Sequence, residues 1–214
     1  MSPAKQINSG PLAEGSVGGG TGMNCYAFKA GTGTASRVVG FAEEPYVVGV
    51  LTQANFGSRR ELTIRGRRLG IRLAEDNPME EARTAAPPGS GSCITVVATN
   101  APLLPGQCKA LARRVTLGLA RTGTTGSHFS GDVFLAFSTA GAGALDSGIG
   151  GMPSALQHLD FVPWPAMNRF YEAVVQATEE AVVNALVAAD TMIGRDGHRS
   201  PGFPNDVLWS FGVD

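Results

Sequence analysis

The chain has 214 residues, with 17 Lys+Arg against 18 Asp+Glu, 43% hydrophobic residues and 16% charged, the make-up of one ordinary globular core. A net charge of -1 leaves no basic footprint for nucleic acid, and no apolar run reaches the ~18–20 residues needed to cross a bilayer, so neither partner is expected. Gly is 29 of 214 without a G-X-Y period, which excludes collagen and points to turns and close packing.

Met1-Ser-Pro-Ala-Lys-Gln carries no apolar leader, and the default location is the cytoplasm. Cys25, Cys93 and Cys108 form no CxxC pair and cannot all be paired, which suits reduced core thiols. Six arginines, Arg59, Arg60, Arg65, Arg67, Arg68 and Arg72, crowd one hairpin-like stretch. With no aromatics interleaved for base stacking, this reads as a solvated ribbon face or a subunit contact.

In chain order, residues 10–36 are glycine-dense, with Gly15-Ser-Val-Gly-Gly-Gly-Thr-Gly-Met suggesting tight turns around a site. No Gly-Lys-Ser/Thr follows and no GxGxxG register fits, so this is not a phosphate loop. Residues 37–42, 46–55, 61–64 and 69–73 read as strands of an antiparallel meander, with turns at Glu43-Glu-Pro and Arg65-Gly-Arg. From Ala74 to Ser90 the chain turns polar and breaker-rich, a loop or disordered linker. Ser92-Cys-Ile-Thr-Val-Val-Ala-Thr follows at once and is apolar enough for a buried central strand.

Pro105 opens a helix at the position proline favours, with Cys108, Leu111, Ala112, Val115 and Leu119 along its buried face until Gly123 stops it. A strand follows from Ser130, with Val133, Leu135 and Phe137 sharing a face, then a Gly/Ala loop over 141–151. A long helix is expected from about Ala166 to Ile193, its buried stripe running through Tyr171, Val175, Val182, Leu186, Ala189 and Ile193. Meander-like strands mixed with helices favour an α+β class, sheets sandwiched by helices, over parallel βαβ.

The chain lacks the G-x-S-x-G elbow and H-E-x-x-H, and His128, His158 and His198 are scattered in loops, which disfavours a histidine-dependent triad. A serine can still be activated by its own α-amine if it becomes an N-terminus, because that amine titrates near ~7.7–8.0. The Gly91-Ser92 bond suits such a cut: glycine offers no side-chain hindrance, a Pro-rich tether lies upstream, and Ser92 opens a rigid strand. From these features alone, a plain surface loop running into a strand stays open as the other reading.

The segment Gly91-Ser-Cys-Ile-Thr-Val-Val-Ala-Thr-Asn-Ala-Pro-Leu-Leu-Pro, with Leu111-Ala-Arg-Arg and Gly118-Leu-Ala-Arg-Thr-Gly, resembles the L-aminopeptidase D-amidase/D-esterase family, to which β-peptidyl aminopeptidases belong. Further matches are Glu14-Gly-Ser-Val-Gly-Gly-Gly-Thr-Gly-Met, Gln53-Ala-Asn-Phe-Gly, Ser130-Gly-Asp-Val-Phe-Leu-Ala-Phe-Ser-Thr and Glu179-Glu-Ala-Val-Val-Asn-Ala-Leu, together covering most of residues 10–195.

The resemblance implies an N-terminal-nucleophile hydrolase with an αββα sandwich of mainly antiparallel sheets flanked by helices. It implies a single domain over 1–214 that splits itself at Gly91-Ser92. Residues 1–91, with the linker 74–91, would then be what remains of a large subunit, and 92–214 a small one. By the same resemblance Ser92 is the nucleophile, Asn55 the oxyanion donor, and Ser130 with Asp132 the pair that orients the nucleophile's amine. Asp132 is also the candidate anion for a substrate ammonium. The implied reaction is release of N-terminal residues from small peptides, amides or esters, without metal or organic cofactor, in a homo-oligomer.

Two features depart from the family pattern. Its members carry a further segment before the Gly15 region, including an oxyanion-stabilising tyrosine that Tyr26 and Tyr46 do not match, and Asn100 stands where aspartate is usual. Two other functions stay open: an inactive, shortened relative serving as a structural or binding domain, and an acyltransferase like the ornithine acetyltransferases, whose nucleophile is threonine.

Overall fold

The computed structural model describes residues 10–81, 91–141, 156 and 158–210. Period-2 alternation in residues 32–55 makes the longest pair of strands, β3 (Thr32–Phe41) and β4 (Glu44–Asn55), antiparallel from Thr32↔Gln53 to Phe41↔Glu44. Ala42 and Glu43 close the hairpin with φ of 51° and 66°, the left-handed pair that a two-residue turn requires. Upstream, a 3₁₀ turn at Gly18–Gly22 leads into a small hairpin, β1 (Asn24–Cys25) and β2 (Phe28–Lys29).

The main sheet has the order β3-β4-β5-β6, with β5 at Ser92–Thr99 and β6 at Val133–Ser138. Strand β5 runs antiparallel to β4 and parallel to β6. The chain from β5 to β6 crosses over through α3 (Pro105–Ala112) and α4 (Val115–Arg121), as a parallel neighbour demands. The single helix expected there breaks at Arg113–Arg114, yet Cys108, Leu111, Val115 and Leu119 are buried as the spacing requires.

Helix α5 (Met167–Val187) lies across β3 and β4. Phe170, Val174, Ala181, Val182 and Leu186 meet Val48, Val50, Ala54, Cys93 and Val97 in one core. Gly33 lets the helix backbone close on β3, since a Cβ there would collide with the Ala181 carbonyl oxygen. The helix ends earlier than its pattern suggests, and Ile193 lies exposed in β7 (Met192–Ile193), paired with β8 (Arg199–Ser200).

Two expected strands are absent. Residues 61–64 give a 3₁₀ turn at Arg59–Glu61 and a single bridge between Ile64 and Arg67, while Leu69–Arg72 is a one-turn helix, α1. Gly70 donates its N–H to Leu62 O there and Leu69 is buried, so tertiary contact overrides the β-like alternation. Two further short helices complete the chain, α2 (Pro78–Glu81) and α6 (Asp206–Ser210). Most of the expected linker and of the 141–151 loop lies outside the described residues.

The crowded arginines are not one solvated face. Arg59 is fully buried and donates to the carbonyls of Tyr26 (3.0 Å), Ala27 (2.5 Å) and Leu73 (2.8 Å), with its guanidinium 3.3 Å above the Phe28 ring centre. The fold is α+β, with helices packed on a mainly antiparallel sheet. The described residues supply one helical layer and one main sheet of the expected four layers, and the other face of the sheet is open.

Candidate active site

The four sequence-selected side chains converge where β4 ends and β5 begins. Asn55 and Ser92 are direct cross-strand partners, so their side chains stand on the same face, the one turned away from α5. Residue by residue, Ser92, Ile94, Val96 and Ala98 point to that face, while Cys93, Thr95, Val97 and Thr99 are buried on the other. Thr52 Oγ1 lies 3.0 Å from Cys93 Sγ and 3.1 Å from Thr95 Oγ1, a polar knot directly beneath the site. Burial pushes the Cys93 thiol up, partly offset by hydrogen bonds with Thr52 and Thr95.

Ser92 Oγ is half-buried and accepts the Gly131 N–H at 2.9 Å. That bond holds the side chain in one orientation and leaves the hydroxyl proton free to be given away. Asp132 Oδ1 accepts the Cys93 N–H at 2.8 Å and the Ser130 hydroxyl at 2.6 Å. The strand begins at Val133, so Ser130 and Asp132 sit in the turn before β6 and not within it, but the sequence pairing of the two holds.

Asn55 Oδ1 accepts the Asn24 N–H at 3.1 Å. Because a backbone N–H can only donate, this bond fixes which end of the amide is oxygen and leaves Nδ2 as the outward donor. The same segment is clamped from behind: Tyr26 donates its N–H to Phe56 O at 2.8 Å, and Ala54 its N–H to Gly31 O at 2.8 Å. Gly91 is a close-approach glycine, since a Cβ there would run into the Asn55 carbonyl.

Sequence reasoning missed three contributors. The Gly131 and Asn24 donors are backbone groups that any residue type supplies, and only the placement of Gly131 between Ser130 and Asp132 hinted at one of them. Lys29 is buried and donates to the carbonyls of Met23, Gly20 (3.1 Å) and Ala30 (2.8 Å), pinning the glycine-rich segment; burial lowers its pKa. A lone lysine in a polar, glycine-rich stretch gives no sign of this.

Two clefts matter for the site. The larger, about 570 Å³, lies between α5, residues 64–69 and α6, and contains none of the four side chains. The smaller, about 190 Å³, is walled in part by Ser130 and Asp132. No group of three or more His, Cys, Asp or Glu side chains placed to hold a metal is found among the described residues, nor any helix there long and apolar enough to cross a membrane.

A half-buried serine at the start of a central strand, flanked by a side-chain amide, a backbone N–H and a serine-acid pair, is an arrangement suited to an N-terminal nucleophile. Residues 1–200 match the model of peptidase family S58, and the chain belongs to that family. It is 47% identical over 208 residues to the β-peptidyl aminopeptidase BapA of Sphingosinicella microcystinivorans, covering 94% of this chain and 51% of that protein.

Among solved structures it resembles a Burkholderia sp. β-aminopeptidase (TM-score 0.83, 39% identity, 97% of this chain and 56% of that one). It equally resembles the L-aminopeptidase D-Ala-esterase/amidase of Ochrobactrum anthropi, described as a prototype serine aminopeptidase with a variant of the Ntn hydrolase fold (TM-score 0.83, 39% identity, 96% and 55%). The fold is thus that of the N-terminal-nucleophile hydrolases. The chain spans about half the length of the relatives it matches.

Proposed function

We propose that the chain carries the catalytic centre of a self-processing serine aminopeptidase that releases N-terminal residues from small peptides, amides or esters. The observation that carries this reading is the placement of Ser92 opposite Asn55, with its Oγ held by the Gly131 N–H. Processing comes first. Ser92 Oγ adds to the Gly91 carbonyl carbon, the C–N bond breaks as the nitrogen takes the hydroxyl proton, and water hydrolyses the resulting ester to leave the Gly91 carboxylate and the Ser92 hydroxyl.

The liberated α-amine of Ser92 then serves as general base for substrate acylation, replacing the missing imidazole. Among the described residues Asp132 accepts at Oδ1, which leaves Oδ2 to that amine in its protonated state, while Ser130 steadies the carboxylate. Asn55 Nδ2 serves the tetrahedral oxygen, a role worth roughly 3–4 kcal/mol of barrier. Residues 1–91 belong to the large subunit and 92–214 to the small one. They stay joined after the cut because Val48–Asn55 and Ser92–Thr99 pair along their whole length.

Intact mass of the purified protein tests the reading: two polypeptides meeting at Gly91/Ser92 are expected, and one uncut chain for Ser92→Ala, which should also lose aminoacyl-amide hydrolysis by at least about 10³-fold. An uncut chain that still hydrolyses an aminoacyl amide would overturn it. The second reading, a non-catalytic structural or binding domain, draws on the open sheet face beside Ser92, where Ile94, Val133 and Leu135 are each about half exposed. It requires a full-length, inactive polypeptide in the same two assays.

A further inference from the structure

The larger cleft, about 570 Å³, lies on the helix side of the sheet, away from the face that carries Ser92 and Asn55. Arg37 stands on the same face of β3 as Gly33, and its side chain reaches Gln176 Oε1 at 3.1 Å and Glu180 on α5. The floor is apolar, with Ile64 and Leu69 buried and Val183 and Leu208 packed against the core. Trp209 adds an indole that is 80% exposed. A volume of this size falls within the roughly 300–1,000 Å³ of small-molecule sites.

The charge of the lining adds a second argument. The guanidinium groups of Arg37, Arg65 and Arg67 stand against the carboxylates of Glu179 and Glu180, three cations to two anions, a net charge of +1. Both carboxylates are already engaged, Glu180 with Arg37 at 2.6 Å and Glu179 with Arg121 at 3.2 Å. Arg65 is exposed and has no ion-pair partner among the described residues. It stands at φ 50° in the turn Arg65–Gly66, where asparagine or glycine is the conformationally easier choice. The cleft thus offers a cationic fork and an exposed indole over an apolar floor.

We propose that this cleft is a second ligand site, separate from the site around Ser92, and that it binds an aromatic carboxylate. The planar guanidinium of Arg65 matches a carboxylate through two parallel hydrogen bonds. The ring of such a ligand stacks on Trp209 and covers the aliphatic floor. A cation of the same shape meets a net positive lining and is disfavoured. A free aromatic acid and the C-terminus of a peptide ending in an aromatic residue present this same chemistry. The walls come from both sides of residues 91–92, so an occupant braces the 64–67 turn, α5 and α6 against one another. The assignment does not depend on Ser92 being a nucleophile.

The chain has two tryptophans, so its indole N–H signals in an NMR spectrum are two, and Trp209→Phe assigns the one at the cleft. Titrated into the full chain, phenylacetate should move the Trp209 signal and leave in place that of Trp164, which does not line the cleft. Phenylacetamide keeps the ring without the charge, acetate keeps the charge without the ring, and neither should move the Trp209 signal at the same concentrations. N-acetylphenylalanine separates the two sources: tighter binding than phenylacetate assigns the site to peptide C-termini, and weaker binding to free aromatic acids. Arg65→Asn suits the left-handed turn and should weaken phenylacetate binding about tenfold. A Trp209 signal that phenylacetate leaves unmoved, an equal shift from phenylacetamide or acetate, or an unchanged affinity in R65N would each overturn the proposal. The contrast among the probes in the wild-type chain needs no variant to fold.

Discussion

The two faces of the central sheet are made by alternate residues of the same strands, yet they do different things. On the helix side Val48, Val50, Thr52, Ala54, Cys93, Thr95, Val97 and Thr99 are at most 3% exposed. On the other side Val38, Ile94, Val133, Leu135 and Phe137 are 43–72% exposed, and that side also carries Ser92 and Asn55. One face therefore carries the buried core and the other the candidate site residues. Because strand period is 2, a single strand anchors Ser92 through its buried neighbours and still leaves its side chain on the open face.

Substitutions that differ only in face sharpen this contrast. The largest effect is expected at Gly33, where the added methyl of Gly33→Ala meets the backbone of α5 and the helix must lift: about 3 kcal/mol or more of stability lost in chemical denaturation. Gly40→Ala, on the same strand with nothing near the new methyl, should stay within about 0.5 kcal/mol. Next in size, Val97→Ala empties a fully buried site on the helix side and should cost about 2–3 kcal/mol, while Leu135→Ala on the open side, 56% exposed, should cost less than about 1 kcal/mol. Equal losses at Val97 and Leu135 would show that both faces belong to one core and would break the contrast.

Much of this division was legible in the sequence, and the reasons for the failures are physical. Strand β5 and helix α5 were plain because eight and twenty-one residues are long enough to separate a period of 2 from one of 3.6. The four residues Leu69–Arg72 are not, and burial of Leu69 decided for helix. The direction of β6 is unwritten in its own residues and follows from the α3–α4 crossover. Arg59 looked like one solvated charge among six because nothing local announces three inward carbonyls and an aromatic ring. Ser92, Asn55, Ser130 and Asp132 were singled out from ordered motifs and the fold brings them together, whereas the donors to two of them, Gly131 N–H and Asn24 N–H, exist only once the chain has folded.

The smallest expected effect sets adjacent residues against each other. Ser92 is half-buried on the open face, and Cys93 is fully buried on the helix face one residue later. Burial raises the Cys93 thiol, and that of Cys25 further, above the ordinary thiol range. The unfolded chain ionises these thiols first, near pH ~8.5, so above that pH it binds fewer protons than the native state and stability falls. Below pH ~8.5 the contribution is fully present; between ~8.5 and the raised native value each thiol removes up to about 1.4 kcal/mol per pH unit. Stability should therefore be lower at pH 9.5 than at pH 7, and Cys93→Ala should reduce that decline while leaving Ser92 in place. A thiol reagent should label Cys93 only at the rate at which the sheet opens. If Cys93 instead reacts promptly at pH 8, the face beneath Ser92 is accessible and the rigid support assigned to it does not exist.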